Sequence, residues 1–246
     1  MRLLGIDLAW QGETNPSALA LGRVELSAKN TPVLVLEQVM PAIIGMPKMK
    51  AYIGSLTELQ GIAIDAPLII NNKAGMRDCE KALARDYSAR KVACHAANQT
   101  LYPNAFSVEL AEGLVQLGFD HLGSSKWQFE CYPHPSIIEC FALSERLLYK
   151  KGTVTDKKRG QVELASFIKQ LAKSDILLFS ISENYSHFLC SDHIAKLKGK
   201  AIKQNEDVLD ALMCLYIAGL YAVNAEGKCY GDTAHGYIWV PQIRCI

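Results

Sequence analysis

Residues 208–223, VLDALMCLYIAGLYAV, leave almost no polar face on a helix: Val208, Leu209, Leu212, Met213, Leu215, Tyr216, Ile217, Leu220 and Tyr221 cover its circumference. A helix that is apolar all round is normally buried, so the rest of the chain has to wrap it. Asp210 lies in the first turns of that run, three residues after Asp207. An unpaired carboxylate in such a place is costly, and whatever compensates Asp210 constrains both fold and function.

The chain has 246 residues, half of them hydrophobic, enough for one sizeable core or at most two small domains. Neither a signal peptide nor a membrane span is expected. Asp7 interrupts the N-terminal apolar run, and 208–223 is too short to span a bilayer. The eight cysteines form no C-x-x-C pair; they read as reduced thiols of a soluble cytoplasmic protein. The net charge is +1, but residues 146–203 hold twelve Lys/Arg against five Asp/Glu, so that segment carries +7 and the remainder −6. The excess is either solvated surface or a footprint for phosphates.

Three strands open the chain, at 2–10, 17–25 and 33–39, separated by turns around Gly12-Asn15-Pro16 and Asn30-Pro32. A helix follows at 47–59, then a buried strand at 61–67, which the crossover places parallel to an earlier strand. Helices are predicted at 74–92, 105–118, 136–149, 160–173 and 206–223, a fifth strand at 125–135, and a short last strand at 236–241. The stretch between 149 and 160 reads as a polar loop, and 174–204 as irregular. No repeat or linker is evident. The expected architecture is one α/β domain over 1–246. Its mixed five-stranded sheet has three antiparallel strands and a fourth and fifth parallel to the first. Helices cover both faces, with insertions around 74–125 and 136–204.

Two strands share a pattern, Gly5-Ile6-Asp7 and Ala63-Ile64-Asp65. Alternation puts each Asp on the face of the small residue two before it, leaving room for an approach to the carboxylate. Pro67 places Asp65 near the strand's C-terminal end, where open α/β sheets bind ligands. Asp207 and Asp210 point the same way on a helix. Singly, Asp7 and Asp65 could cap turns and Asp207 could be an N-cap. Together, four carboxylates at one sheet end would repel, and a divalent cation would remove the conflict. All-oxygen ligands suit Mg²⁺ or Mn²⁺.

Three strands, helix, strand, helix, strand, with an acid on the first and fourth strands, resembles the ribonuclease H-like fold. Asp207-Val-Leu-Asp210-Ala-Leu resembles the D-x-x-D-A-L helix of bacterial Holliday-junction resolvases, although Asp65 stands where those carry Glu. Along the whole chain, GIDLAW, AIDAPL, RDCE (77–80), FECYPHP (129–135), LYKKG (148–152), NEDVLDAL (205–212) and GYIWVP (236–241) resemble the domain-of-unknown-function 429 family, often called predicted nucleases. The resemblance implies phosphodiester hydrolysis by two metal ions. Asp7 would bridge the ions, Asp65 and Asp210 would hold one each, and Asp207 would support one. Glu130 is a possible fifth carboxylate, or a surface acid. Nucleic acid would lie against the basic segment through Lys150, Lys151, Lys157, Lys158, Arg159, Lys198 and Lys200. DNA or RNA, branched or linear substrate, and oligomeric state stay open.

Other features point elsewhere. His187, Cys190 and His193 are zinc-friendly but lack a fourth ligand. Cys79 with His95 could be a nucleophile pair without a spacing signature. Arg77, Arg85 and Arg90 could meet phosphate, or pair with Asp78, Glu80 and Asp86. Two alternatives to a nuclease remain: a non-catalytic nucleic-acid-binding or interaction protein on the same fold, and an actin-like phosphotransferase. The latter needs glycine-rich phosphate loops, and the chain contains no Gly-Gly dipeptide.

Overall fold

A computed structural model of the chain describes residues 1–28 and 30–246. The opening meander forms as expected: β1 (Arg2–Asp7), β2 (Ser17–Leu26) and β3 (Pro32–Ile43) pair antiparallel in sequence order. Helix α1 (Met46–Ser55) then crosses over to β4 (Leu59–Asp65), which returns parallel to β1.

Beyond α2 (Asp78–Tyr87) and α3 (Phe106–Gln116), the two-residue β5 (Asp120–His121) precedes β6 (Trp127–Glu130), which pairs parallel to β4. Helices α4 (Pro133–Cys140) and α5 (Val154–Gln170) lead to β7 (Leu178–Ser180), which lies parallel to β3. The short helices α6 (Glu183–Ser186) and α7 (Ser191–Lys196) precede the long helix α8 (Lys200–Ala222). The hairpin of β8 (Gly227–Asp232) and β9 (Gly236–Pro241) ends the described elements.

The sheet is mixed and has seven strands in the order β5-β6-β4-β1-β2-β3-β7, not five. The two extra strands sit at its edges and are two and three residues long, too short to leave a periodic signature. Several helix bounds also differ from expectation. Pro133 and Pro135 do not end the fifth strand but lie in the first turn of α4, where a missing N–H removes no helical bond; the helix stops at Cys140 rather than running to 149. Helix α5 begins inside the expected loop. Thr153 caps it by accepting a hydrogen bond from the Asp156 N–H, while Asp156 accepts one from the Thr153 N–H. With Asp in place of the usual Glu or Gln, this capping box is easily read as loop. Segment 174–204 is not irregular throughout, since it carries β7, α6 and α7. Helix α8 starts at Lys200, so Asp207 is two turns inside it and is no N-cap.

The sheet's two faces divide the core. Leu4, Ile6, Leu19, Ile62 and Ile64 pack with Met49, Ile53 and Leu110 of α1 and α3. Leu3, Ala18, Ala20 and Ala63 face the other way, against α8 and residues of α4 and α5. Gly5 belongs to this second face and is fully covered: a Cβ there would lie 2.1 Å from the Leu215 amide nitrogen and 2.5 Å from the Ala211 carbonyl oxygen. The space at Gly5, which the sequence reading assigns to an approaching ligand, is therefore taken up by α8. Gly5 admits the backbone of α8 against β1.

Candidate metal centre and its cleft

Strands β1 and β4 are parallel neighbours in register, with Gly5 beside Ala63 and Asp7 beside Asp65. Both carboxylates leave the sheet at the C-terminal ends of their strands, on the face that α8 covers. The close seat of α8 on Gly5 brings Asp210, adjacent to Ala211, to the same level. One carboxylate oxygen from each of Asp7, Asp65 and Asp210 lies within 4.8 Å of the others. Among the described residues no other set of three His, Cys, Asp or Glu side chains meets in this way.

Asp210 is completely buried, but it is not alone. Tyr149 Oη donates a 2.6 Å hydrogen bond to Oδ1, and the Lys150 ammonium forms an ion pair 2.6 Å from Oδ2. Both come from the stretch 141–153 that joins α4 to α5. Sequence reasoning missed both roles. Tyr149 was not singled out, and Lys150 was grouped with the solvent-facing basic residues. The only available signal was the unmet need of Asp210 for a cation.

The cluster is electrostatically tense. Burial, then the Asp210 charge, hold the Asp7 carboxyl well above the usual carboxylate range. Burial also pushes Asp65 up to about 7, with Lys150 opposing and Asp210 and Glu130 reinforcing. Burial alone would lower the Lys150 ammonium, but the charges around it, Asp210 first, hold it well above the usual lysine value. One cation among three carboxylates is an incomplete neutralisation.

Asp207 lines the same cleft, but Lys203, one turn earlier, forms ion pairs with both Asp207 and Glu206. Glu130 is neither a surface acid nor a member of the cluster. It is buried and takes a two-pronged ion pair from Arg77, with Nη1 to Oε2 at 2.8 Å and Nη2 to Oε1 at 2.6 Å. It also accepts the Leu68 N–H at 3.0 Å. Arg77 in turn donates from Nε to Glu80 at 2.8 Å. These contacts make Glu130 a tie between β6 and the segment following β4.

The basic segment divides in the same way. Lys158 Nζ donates to the Ala195 carbonyl, Arg159 pairs with Asp156, and Lys150 is committed to Asp210. Lys151, Lys198 and Lys200 are exposed, Lys157 is half-buried, and Lys151 lines the cleft. Arg77 pairs with Glu80 as expected, whereas Arg90 pairs with Glu139, and Lys81 and Lys228 take Asp78 and Asp86. Cys79 is buried, and burial pushes its thiol up to about 12, the wrong direction for a nucleophile. The rings of His187 and His193 lie 5.3 Å apart but gain no third ligand from Cys190. All eight cysteines are free, and among the described residues no helix is long and apolar enough to cross a membrane.

The cluster opens into a cleft of about 880 Å³ lined by the ends of β1 and β4, the segment between α2 and α3, the 141–153 stretch and α8. A family model described as "Protein of unknown function (DUF429)" matches residues 5–235, which includes the cleft's lining residues other than Ile238. The chain belongs to the DUF429 family. The match to DUF429 spans all three clustered aspartates as well as Tyr149 and Lys150. Neither a search of curated proteins nor one of solved structures found a match.

Proposed function

We propose that this DUF429 chain is a divalent-metal-dependent nuclease that hydrolyses nucleic-acid phosphodiesters. The observation that carries the proposal is the convergence of Asp7, Asp65 and Asp210 within 4.8 Å at the C-terminal ends of two parallel strands, beside an open cleft. The antiparallel β1-β2-β3 meander with β4 and β6 parallel to β1 agrees with the ribonuclease H-like arrangement that the motifs imply. The donor set suits a hard cation: carboxylate oxygens only, one ammonium against three carboxylates, and among the described residues no sulfur or imidazole joining the set. Mg²⁺ or Mn²⁺ fits it.

A bound divalent ion supplies Lewis acidity toward a phosphate oxygen and lowers the pKa of a bound water. The chain's own residues do the rest. Asp7, Asp65 and Asp210 would hold the ion. Tyr149 fixes the Asp210 carboxylate through Oδ1, so Oδ2, now paired with Lys150, would be the oxygen offered to it. Lys150 lines the same cleft and would be a cation available to a phosphate oxygen. The triad would provide for one ion; Asp207, which would support a second, is paired with Lys203.

One observation favours a second class of function. Because Lys150 already pairs with Asp210, the fold can stand without metal, as a non-catalytic nucleic-acid-binding protein would. A nuclease assay with Mg²⁺ or Mn²⁺ on branched, double-stranded and single-stranded DNA and RNA separates the two. The nuclease proposal expects cleavage that chelation stops and that Asp210→Asn reduces at least ~10²-fold, the scale lost with a group that stabilises developing charge. Binding without cleavage of any substrate would favour the second class.

A further inference from the structure

The cleft is more than an approach to the acids. Trp10, three residues beyond Asp7, lines it half-buried, with Tyr102 at 4.9 Å and 73° and His95 at 6.4 Å and 83°. Neither neighbour lies flat on the indole. The 141–153 stretch brings Arg146, also half-buried, whose Nε has no hydrogen-bond partner among the described residues. The end of α4 brings His134, whose Nδ1 is likewise buried without a partner. Unmade hydrogen bonds at buried nitrogens are costly, and two such nitrogens belong to residues of separate elements that line the same cavity.

Resting on the nuclease proposal, we infer that this cleft takes a single nucleotide, its base against Trp10 and Tyr102 and its phosphate between Arg146 and the aspartate triad. An aromatic platform accepts any base by its π-face. A guanidinium is shaped for phosphate oxygens, and it offers the positive charge that an anion needs beside three carboxylates. About 880 Å³ is the size of a small-ligand site. A base inside a duplex is stacked on its neighbours and reaches such a site only when flipped out, whereas an end or a single strand presents it freely. The ligand class is therefore a single unstacked nucleotide rather than continuous duplex: the unpaired nucleotide of a single-stranded segment, whose phosphodiester is the bond cleaved, or a free mononucleotide bound without cleavage.

Tryptophan fluorescence tests this directly, because Trp127 and Trp239 are buried and Trp10 is the one that meets the cleft. The whole chain in Mg²⁺ is titrated with dAMP, adenosine, inorganic phosphate, a single-stranded oligonucleotide and a blunt hairpin duplex, with calorimetry in parallel. The expected result is saturable quenching by dAMP that Trp10→Phe removes. Trp10→Leu weakens dAMP about tenfold by calorimetry, the scale of one lost base stack. Arg146→Gln weakens dAMP and phosphate about tenfold but leaves adenosine unchanged. Melting temperatures of the variants check that each is folded. Tighter binding of dAMP than of the oligonucleotide assigns the cleft to free nucleotides, and the reverse to strands.

No saturable response to dAMP, an unaltered affinity in folded Trp10→Leu, or equal binding of hairpin and single strand would overturn the inference. The two proposals fail separately. Metal-dependent cleavage without dAMP binding removes the nucleotide cleft alone. Binding of dAMP by a wild-type protein that cleaves no strand removes the nuclease alone.

Discussion

The Lys150 ammonium lies 2.6 Å from Asp210 Oδ2, in the space where a cation shared by Asp7, Asp65 and Asp210 would bind. A metal ion held by the triad would therefore compete with the lysine for one carboxylate oxygen. Lys150→Met should bind Mg²⁺ or Mn²⁺ more tightly than wild type, because no ammonium has to leave. Without metal it should be less stable at neutral pH, by about 3 kcal/mol, the scale on which removal of one partner from a buried ion pair is felt. Urea denaturation with and without metal, together with calorimetric titration, checks both. Weaker metal binding in Lys150→Met would show that the lysine assists the ion instead.

The pH dependence follows from Asp65, raised by burial in the folded protein to about 7 from the ordinary aspartate value of 3.8. Between about 4 and about 7 the folded chain holds a proton that the unfolded chain has released. Metal-free stability should therefore fall as pH rises through that window, by up to ~1.4 kcal/mol per pH unit for one proton. Metal affinity should run the opposite way, since binding displaces the proton, climbing up to about pH 7 and then levelling. Thermal melts and metal titrations between pH 5 and 9 measure the two slopes; two parallel slopes would contradict this assignment.

Glu130 supplies a control for which acids belong to the site. Its carboxylate is occupied by Arg77 and the Leu68 N–H. Glu130→Gln should lower stability by about 3 kcal/mol, because Arg77 is left in the interior with one of its two acids gone. Metal affinity should change little. A loss of metal binding with stability intact would return Glu130 to the ligand set.

Gly5→Ala tests the support beneath the site. Its added methyl would meet the backbone of Leu215 and Ala211, neither of which can rotate away. A loss of about 3 kcal/mol or more is expected, at the upper end of overpacking effects, with metal affinity reduced as α8 shifts. Equilibrium unfolding of the variant measures this; a stability within error of wild type would mean that the helix does not rest on β1.

The parts of the fold that follow a period were legible in the sequence. The meander, the β4 strand and the apolar run of α8 all showed their alternation or their lack of a polar face, and the three clustered aspartates stood out because each broke such a pattern. What escaped were features that depend on partners distant in the chain. The edge strands β5 and β7 exist because a neighbouring strand offers hydrogen bonds, not because their two or three residues ask for them. Lys150 looks like any lysine in KKG until the fold presents it to Asp210. Glu130 and Arg77 are fifty-three positions apart and show no mutual spacing rule. The small residue at 5 serves helix packing rather than ligand access, two needs that leave the same mark in a sequence.

The contact of Gly5 with Ala211 and Leu215 also sets an order of events. It joins β1 to a helix far along the chain, so the inner face of β1 cannot be covered until α8 has been made. Until then Asp7 and Asp65 can stand side by side on paired strands, but without the third carboxylate, and Lys150 has no Asp210 to pair with. A nascent or truncated chain ending before α8 would expose the apolar face of the central strands together with half of an acid site, a species prone to aggregation and to capture by chaperones. If the triad holds an ion, competence to bind it would report that α8 has docked on β1.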